Sequence, residues 1–60
     1  MDKNTVIEIF GGIPALARLL GISQQAIYQW PDRLTERQED RIIALAWRTN
    51  RLSDIEQMKP

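Results

Sequence analysis

The chain contains no cysteine and no histidine. Without cysteine there is no disulfide and no thiolate metal site. Without histidine, the commonest metal ligand and the commonest general base are both missing. No clustered acid site replaces them, so the sequence predicts neither an enzyme nor a metal or cofactor protein. No apolar run approaches the roughly 18 residues of a membrane span. No basic, apolar, small-residue signal opens the chain. The expectation is a cytoplasmic protein with no membrane partner and no small-molecule ligand. At 60 residues it is a single domain. A domain this small buries only about 60% of its unfolded surface. Its stability must come from helix packing, with or without the aid of a partner.

Net charge is also absent: eight basic residues balance eight acidic ones. The distribution is more informative than the sum. From Ile9 to Pro31 there is no acidic residue, and Arg18 is the only charge. This central segment can approach a polyanion without local repulsion. An uncharged core segment is the plainer explanation of the same pattern.

The signals present are all helical, and no stretch alternates apolar and polar residues like a half-buried strand. Asp2 or Asn4 can cap a short first helix carrying Val6, Ile7, Ile9 and Phe10, which Gly11-Gly12 stops. Pro14 fits the first turn of a second helix, PALARLL, which ends at Gly21. Ser23 is a good N-cap for a third, QQAIYQW, which Pro31 ends. Thr35 and Gln38 have the spacing of a capping box for a fourth helix, running to about Thr49. Ser53 can cap a last helix through Met58, although residues 50–60 form a weakly specified tail. The expected fold is all-α, a four- to five-helix bundle.

The third helix divides sharply. At about 100° per residue, Gln24, Tyr28, Gln25 and Gln29 occupy one arc of about 140°. Ala26, Ile27 and Trp30 lie on the other side, which must be the buried one. Trp30 is expected in the core against helices one and four, with Ile42, Leu45 and Ala46. In the second helix Leu16, Ala17 and Leu20 share a face, and Arg18 points away. Small Ala17 allows a close helix crossing.

Ala17, then Gly21 four positions on, then Ile27 six further is the spacing of a helix-turn-helix, here about residues 13–32. The longer stretch VIEIFGGIPALARLLGISQQAIYQW resembles the opening of the short Cro repressors of lambdoid phages. In those, a helix ending in Phe-Gly leads into text of the form A-x-x-L-G-I-S. The SQQAIYQ portion is similar to the recognition helix of phage repressors that read DNA with paired glutamines. The resemblance covers roughly Val6 to Ile43. No strand pair follows it, so the all-helical form is expected.

The resemblance implies a sequence-specific DNA-binding repressor of phage or prophage type, working in a bacterial host. It would bind a pseudo-palindromic operator as a homodimer, one that forms mainly on DNA. The docking geometry is taken over from phage repressors and Cro, themselves the reference cases for this motif. Gln24, Gln25, Tyr28 and Gln29 are then the expected base readers. A glutamine amide can both donate to and accept from adenine in the major groove, and Tyr28 offers a ring to a thymine methyl. Expected phosphate contacts are the N-terminus of the second helix at Gly12 and Ile13, where free N–H groups meet positive dipole character, together with Ser23, Arg18, Arg33 and Arg37. For each arginine, solvation or pairing with a nearby acid is the competing expectation, as with Arg37 and Asp40 at helical spacing. Ile43 and Trp47 extend the apolar surface of the fourth helix and form either a dimer contact or a wide core face with Trp47 partly exposed. Two alternatives remain: a Cro-like antitoxin or prophage regulator, and a helical adaptor that binds a protein through the fourth helix instead of DNA.

Overall fold

In a computed structural model, residues 1–57 are described, and they form five helices. These are α1 (Lys3–Ile9), α2 (Ile13–Leu20), α3 (Gln24–Tyr28), α4 (Glu36–Arg48) and α5 (Leu52–Glu56). Among the described residues the only extended pairing is one isolated antiparallel bridge between Asp2 and Arg33. The all-helical expectation therefore holds.

Local sequence accounts for most helix ends. Asp2 is the N-cap of α1 and accepts from the Thr5 N–H at 3.0 Å and the Thr5 hydroxyl at 2.9 Å. These two donors hold its carboxyl below the usual aspartate range. Thr35 and Gln38 form the reciprocal capping box of α4, a feature worth about 1 kcal/mol of helix stability. Gly21 ends α2 with φ at 72°. A side chain there would meet nothing within 4 Å. What the position asks of glycine is the left-handed backbone, not room.

Two ends differ from expectation. The third helix stops at Tyr28, with Gln29 as its C-cap, rather than continuing through Trp30. The Trp30 N–H tightens onto the Ile27 carbonyl at 3.0 Å. A residue before proline is steered away from the helical region, and Trp30 precedes Pro31. As a result Trp30 is half-buried at the edge of the core and not inside it. The last helix starts at Leu52, with Ser53 inside it, so Ser53 is not its cap. The cause lies at Asn50, whose φ is 61°. The Arg51 N–H returns to the Ala46 carbonyl at 2.7 Å and the Asn50 N–H to the Trp47 carbonyl at 3.4 Å. This αL ending turns the chain back at once, so α5 begins without a side-chain cap. Met58 lies outside the described residues.

The core draws on every helix. Val6, Phe10, Leu16, Ala17, Ile27, Ile42, Leu45, Ala46 and Ile55 are buried, as is Leu34 in the segment between α3 and α4. Leu20 is half-buried against them. Ile55 anchors a segment the sequence specifies weakly, and the Arg51 guanidinium lies 5.5 Å from the centre of the Phe10 ring. The N-terminus is tied to the segment after α3: the Lys3 N–H donates to the Asp32 carbonyl at 2.8 Å and the Leu34 N–H to the Met1 carbonyl at 2.9 Å.

Candidate nucleic-acid interface

Three residues, Gly21-Ile22-Ser23, separate α2 from α3. The Ile22 N–H donates to the Ala17 carbonyl at 3.1 Å, closing the end of α2. At the next residue the Ser23 hydroxyl accepts from the Ala26 N–H at 3.2 Å and opens α3. Each end is satisfied locally, so the turn between them is short and defined. Arg41 of α4 adds a longer contact, 3.5 Å, to the Leu20 carbonyl at the end of α2.

On this frame α3 presents a polar face. Ile27 is completely buried beneath it, and Ala26 is half-buried. Gln24, Gln25 and Gln29 are exposed, and Tyr28 is 60% exposed. The division deduced from helical periodicity is thus the division between core and surface. No hydrogen bond among the described residues engages the Gln24, Gln25 or Gln29 amide groups. Three amides and a phenol therefore stand free on one strip.

The flanking groups are distributed as follows. Arg18, Arg33 and Arg37 are all exposed. Among the described residues none of them forms an ion pair, and Arg37 does not pair with Asp40. Arg33 lies beside Asp2 through the isolated bridge and is one of the charges that lower the Asp2 pKa. The start of α2 has no side-chain cap. Gly12 corrects the expectation of a free N–H: its amide donates to the Ile7 carbonyl at 2.8 Å. Donors available to an anion at this end begin with Ile13, and Pro14 has none.

The fourth helix, α4, carries an apolar patch. Trp47 is 73% exposed and Ile43 36% exposed. With Leu20, Ala44 and Leu52 they line a shallow groove of about 650 Å³. Trp47 thus stands largely outside the buried core.

One contact at the end of α3 was not legible in the sequence. Lys3 reaches from the first turn of α1 to the end of α3, where its ammonium donates to the Tyr28 carbonyl at 3.2 Å and the Trp30 carbonyl at 3.1 Å. The only sequence signal is a misplaced charge. A lysine in the first turn of a helix faces the positive end of that helix's dipole.

A family model described as "DNA-binding transcriptional regulator Cro" matches residues 2–45, well over half of the chain. The match spans α1 to α3 and most of α4. No curated protein and no solved structure matches the chain.

Proposed function

The chain belongs to the Cro family of DNA-binding transcriptional regulators, and from that premise we propose that it is a repressor of phage or prophage type that reads a pseudo-palindromic operator as a dimer. The observation that carries this reading is the division of α3, with Ile27 fully buried beneath a strip of exposed amides. A buried anchor fixes the direction of the amides before DNA arrives. Gln24 and Gln25, at the N-terminal end of the helix, are the principal base readers. The amide of each can bond an adenine edge in two places. Tyr28 packs against a thymine methyl or reaches a base or phosphate with its hydroxyl, and Gln29 works at the margin of the strip. Phosphates are held by the Ile13 end of α2, by Ser23, and by Arg18, Arg33 and Arg37. Two copies place their α3 helices about 34–36 Å apart, one turn of DNA. Occupying a promoter in the bacterial cell blocks polymerase, which requires no chemistry at the site. Selection of binding sites from random duplexes tests the reading. A shared half-site motif, repeated with dyad symmetry, is the expected outcome, and retention of no sequence over another would refute it.

Few phosphates are neutralised by each subunit, because the net charge is zero. Each neutralised phosphate contributes roughly 0.9 to the slope of log affinity against log salt. The expected slope for the operator complex is well below the value of about 10 found for a strongly basic repressor. A salt titration of operator affinity checks this, and a slope that steep would mean that the phosphate contacts are misjudged.

The Ile43–Trp47 patch is assigned to the subunit contact, since so exposed a tryptophan on a small domain is best explained by a partner. Trp47→Ala is expected to weaken the assembly of two copies on operator DNA, measured by sedimentation of the complex, while the circular dichroism of the free protein stays unchanged. If the variant instead dimerises as well as the parent, the same patch favours the second reading, a contact with a different protein.

A further inference from the structure

We infer that Lys3 is a positioning residue for base recognition: it fixes the end of α3 by gathering the main-chain carbonyls that leave it. Three alternate carbonyls are involved. The Lys3 ammonium takes those of Tyr28 and Trp30, and the Lys3 N–H takes that of Asp32 at 2.8 Å. The inference rests on the reading of α3 as the base-reading helix and deepens it.

The physical case begins with the length of α3. Gln24–Tyr28 is barely more than one turn, so intrahelical bonds hold it weakly. Ser23 satisfies its N-terminal end. At the other end the carbonyls of a helix have no partners within the helix. Pro31 prevents the chain from supplying further N–H groups in helical register. An ammonium is a strong donor to such carbonyls, and a cation is favourable at a helix C-terminus. The same cation is unfavourably placed in the first turn of its own helix, α1. The electrostatic benefit therefore lies in α3.

Ile27 pins the middle of α3 from below, and Lys3 holds its exit from the side. Ile27 sets the direction of the helix, and a second, separated anchor stiffens it at its C-terminal end. Tyr28 and Gln29 project from the held end, so their aim depends most on Lys3. The hydrogen bonds of Lys3 go only to main-chain carbonyls, and it acts on bases through these two residues.

The test compares the parent full chain with Lys3→Met, which keeps the length of the side chain and removes its donors, and with Lys3→Arg, which restores a cation able to bond both carbonyls. Affinity is measured for the selected operator and for each single-base variant over a series of salt concentrations. Lys3→Met is expected to reduce the ratio of operator to variant affinity by about fivefold, the equivalent of one net hydrogen bond, with the salt slope unchanged and Lys3→Arg restoring the ratio. In the free protein, amide exchange at Gln29 and Trp30 is expected to quicken in Lys3→Met. Unchanged base preference or unchanged exchange overturns the inference. So does a uniform loss of affinity with the salt slope falling by about 0.9, which would make Lys3 a phosphate ligand. If the methionine variant fails to fold, Lys3→Gln repeats both measurements, because its shorter neutral amide cannot span the two carbonyls. A parent protein with no base preference at all refutes the reading of α3, and with it the role of Lys3 in discrimination. The exchange measurement then still reports whether the tie exists.

Discussion

Ile27→Ala is expected to destabilise the domain by about 2–5 kcal/mol, the usual cost of truncating a fully buried isoleucine. Ile27 has no exposed surface. A domain of this size has only about 3–9 kcal/mol in total at the typical stability per residue. The variant should therefore be largely unfolded near physiological temperature, and its thermal transition should fall far below that of the parent. Circular dichroism during heating measures this. A shift of only a few degrees would mean that α3 does not depend on this side chain for its place. The consequence for function is direct, because the amide strip has no direction without its anchor.

Gln24→Ala should behave in the opposite way. Its side chain is exposed and takes no part in the Ser23 cap, so stability should change by less than about 0.5 kcal/mol. Operator discrimination should fall by about 1–3 kcal/mol, with relaxed preference at one base pair in each half-site. Gln25→Ala should do the same at a neighbouring pair. Arg18→Ala, by contrast, should weaken binding to all sequences alike, as expected for a phosphate ligand. The measurement is affinity for the selected operator and each of its single-base variants at one fixed salt concentration. If both glutamine variants keep the parent base preferences, α3 does not read DNA as proposed. The contrast between Ile27 and Gln24 is the test that separates the two faces of one helix, with the expected loss in stability on one and in base preference on the other.

Both faces were legible in the sequence because a helix repeats at a known angle. Knowing that Ile27 is apolar and Gln24 and Gln25 are not suffices to assign them to opposite sides. The cap at Ser23, the stop at Gly21 and the capping box at Thr35 were legible for the same reason. Each depends on groups within a few residues of one another. Trp30 marks the limit of this reasoning. Its periodicity placed it in the core, but Pro31 ended the helix early and left it at the edge. Trp47 is a second limit. A helix with apolar residues on adjoining faces can be wide in its burial or bare on one side, and only the arrangement of the neighbouring helices decides which.

The sequence by itself determined the helical class, the turn between α2 and α3, the amphipathic division of α3 and the segregation of charge away from it. All of these follow from short-range sterics, hydrogen bonding and periodicity, which act over the same few residues that display the pattern. The tertiary structure alone decided that Asn50 turns α5 back so that Ile55 enters the core, and that Gly12 has no free N–H to offer. It also decided that Trp47 stands open to solvent and that Lys3 holds the end of a helix 25 residues away. These depend on which distant groups are brought within bonding distance. A residue's own neighbours in the chain carry no record of that, since the partner is selected by how the whole core packs.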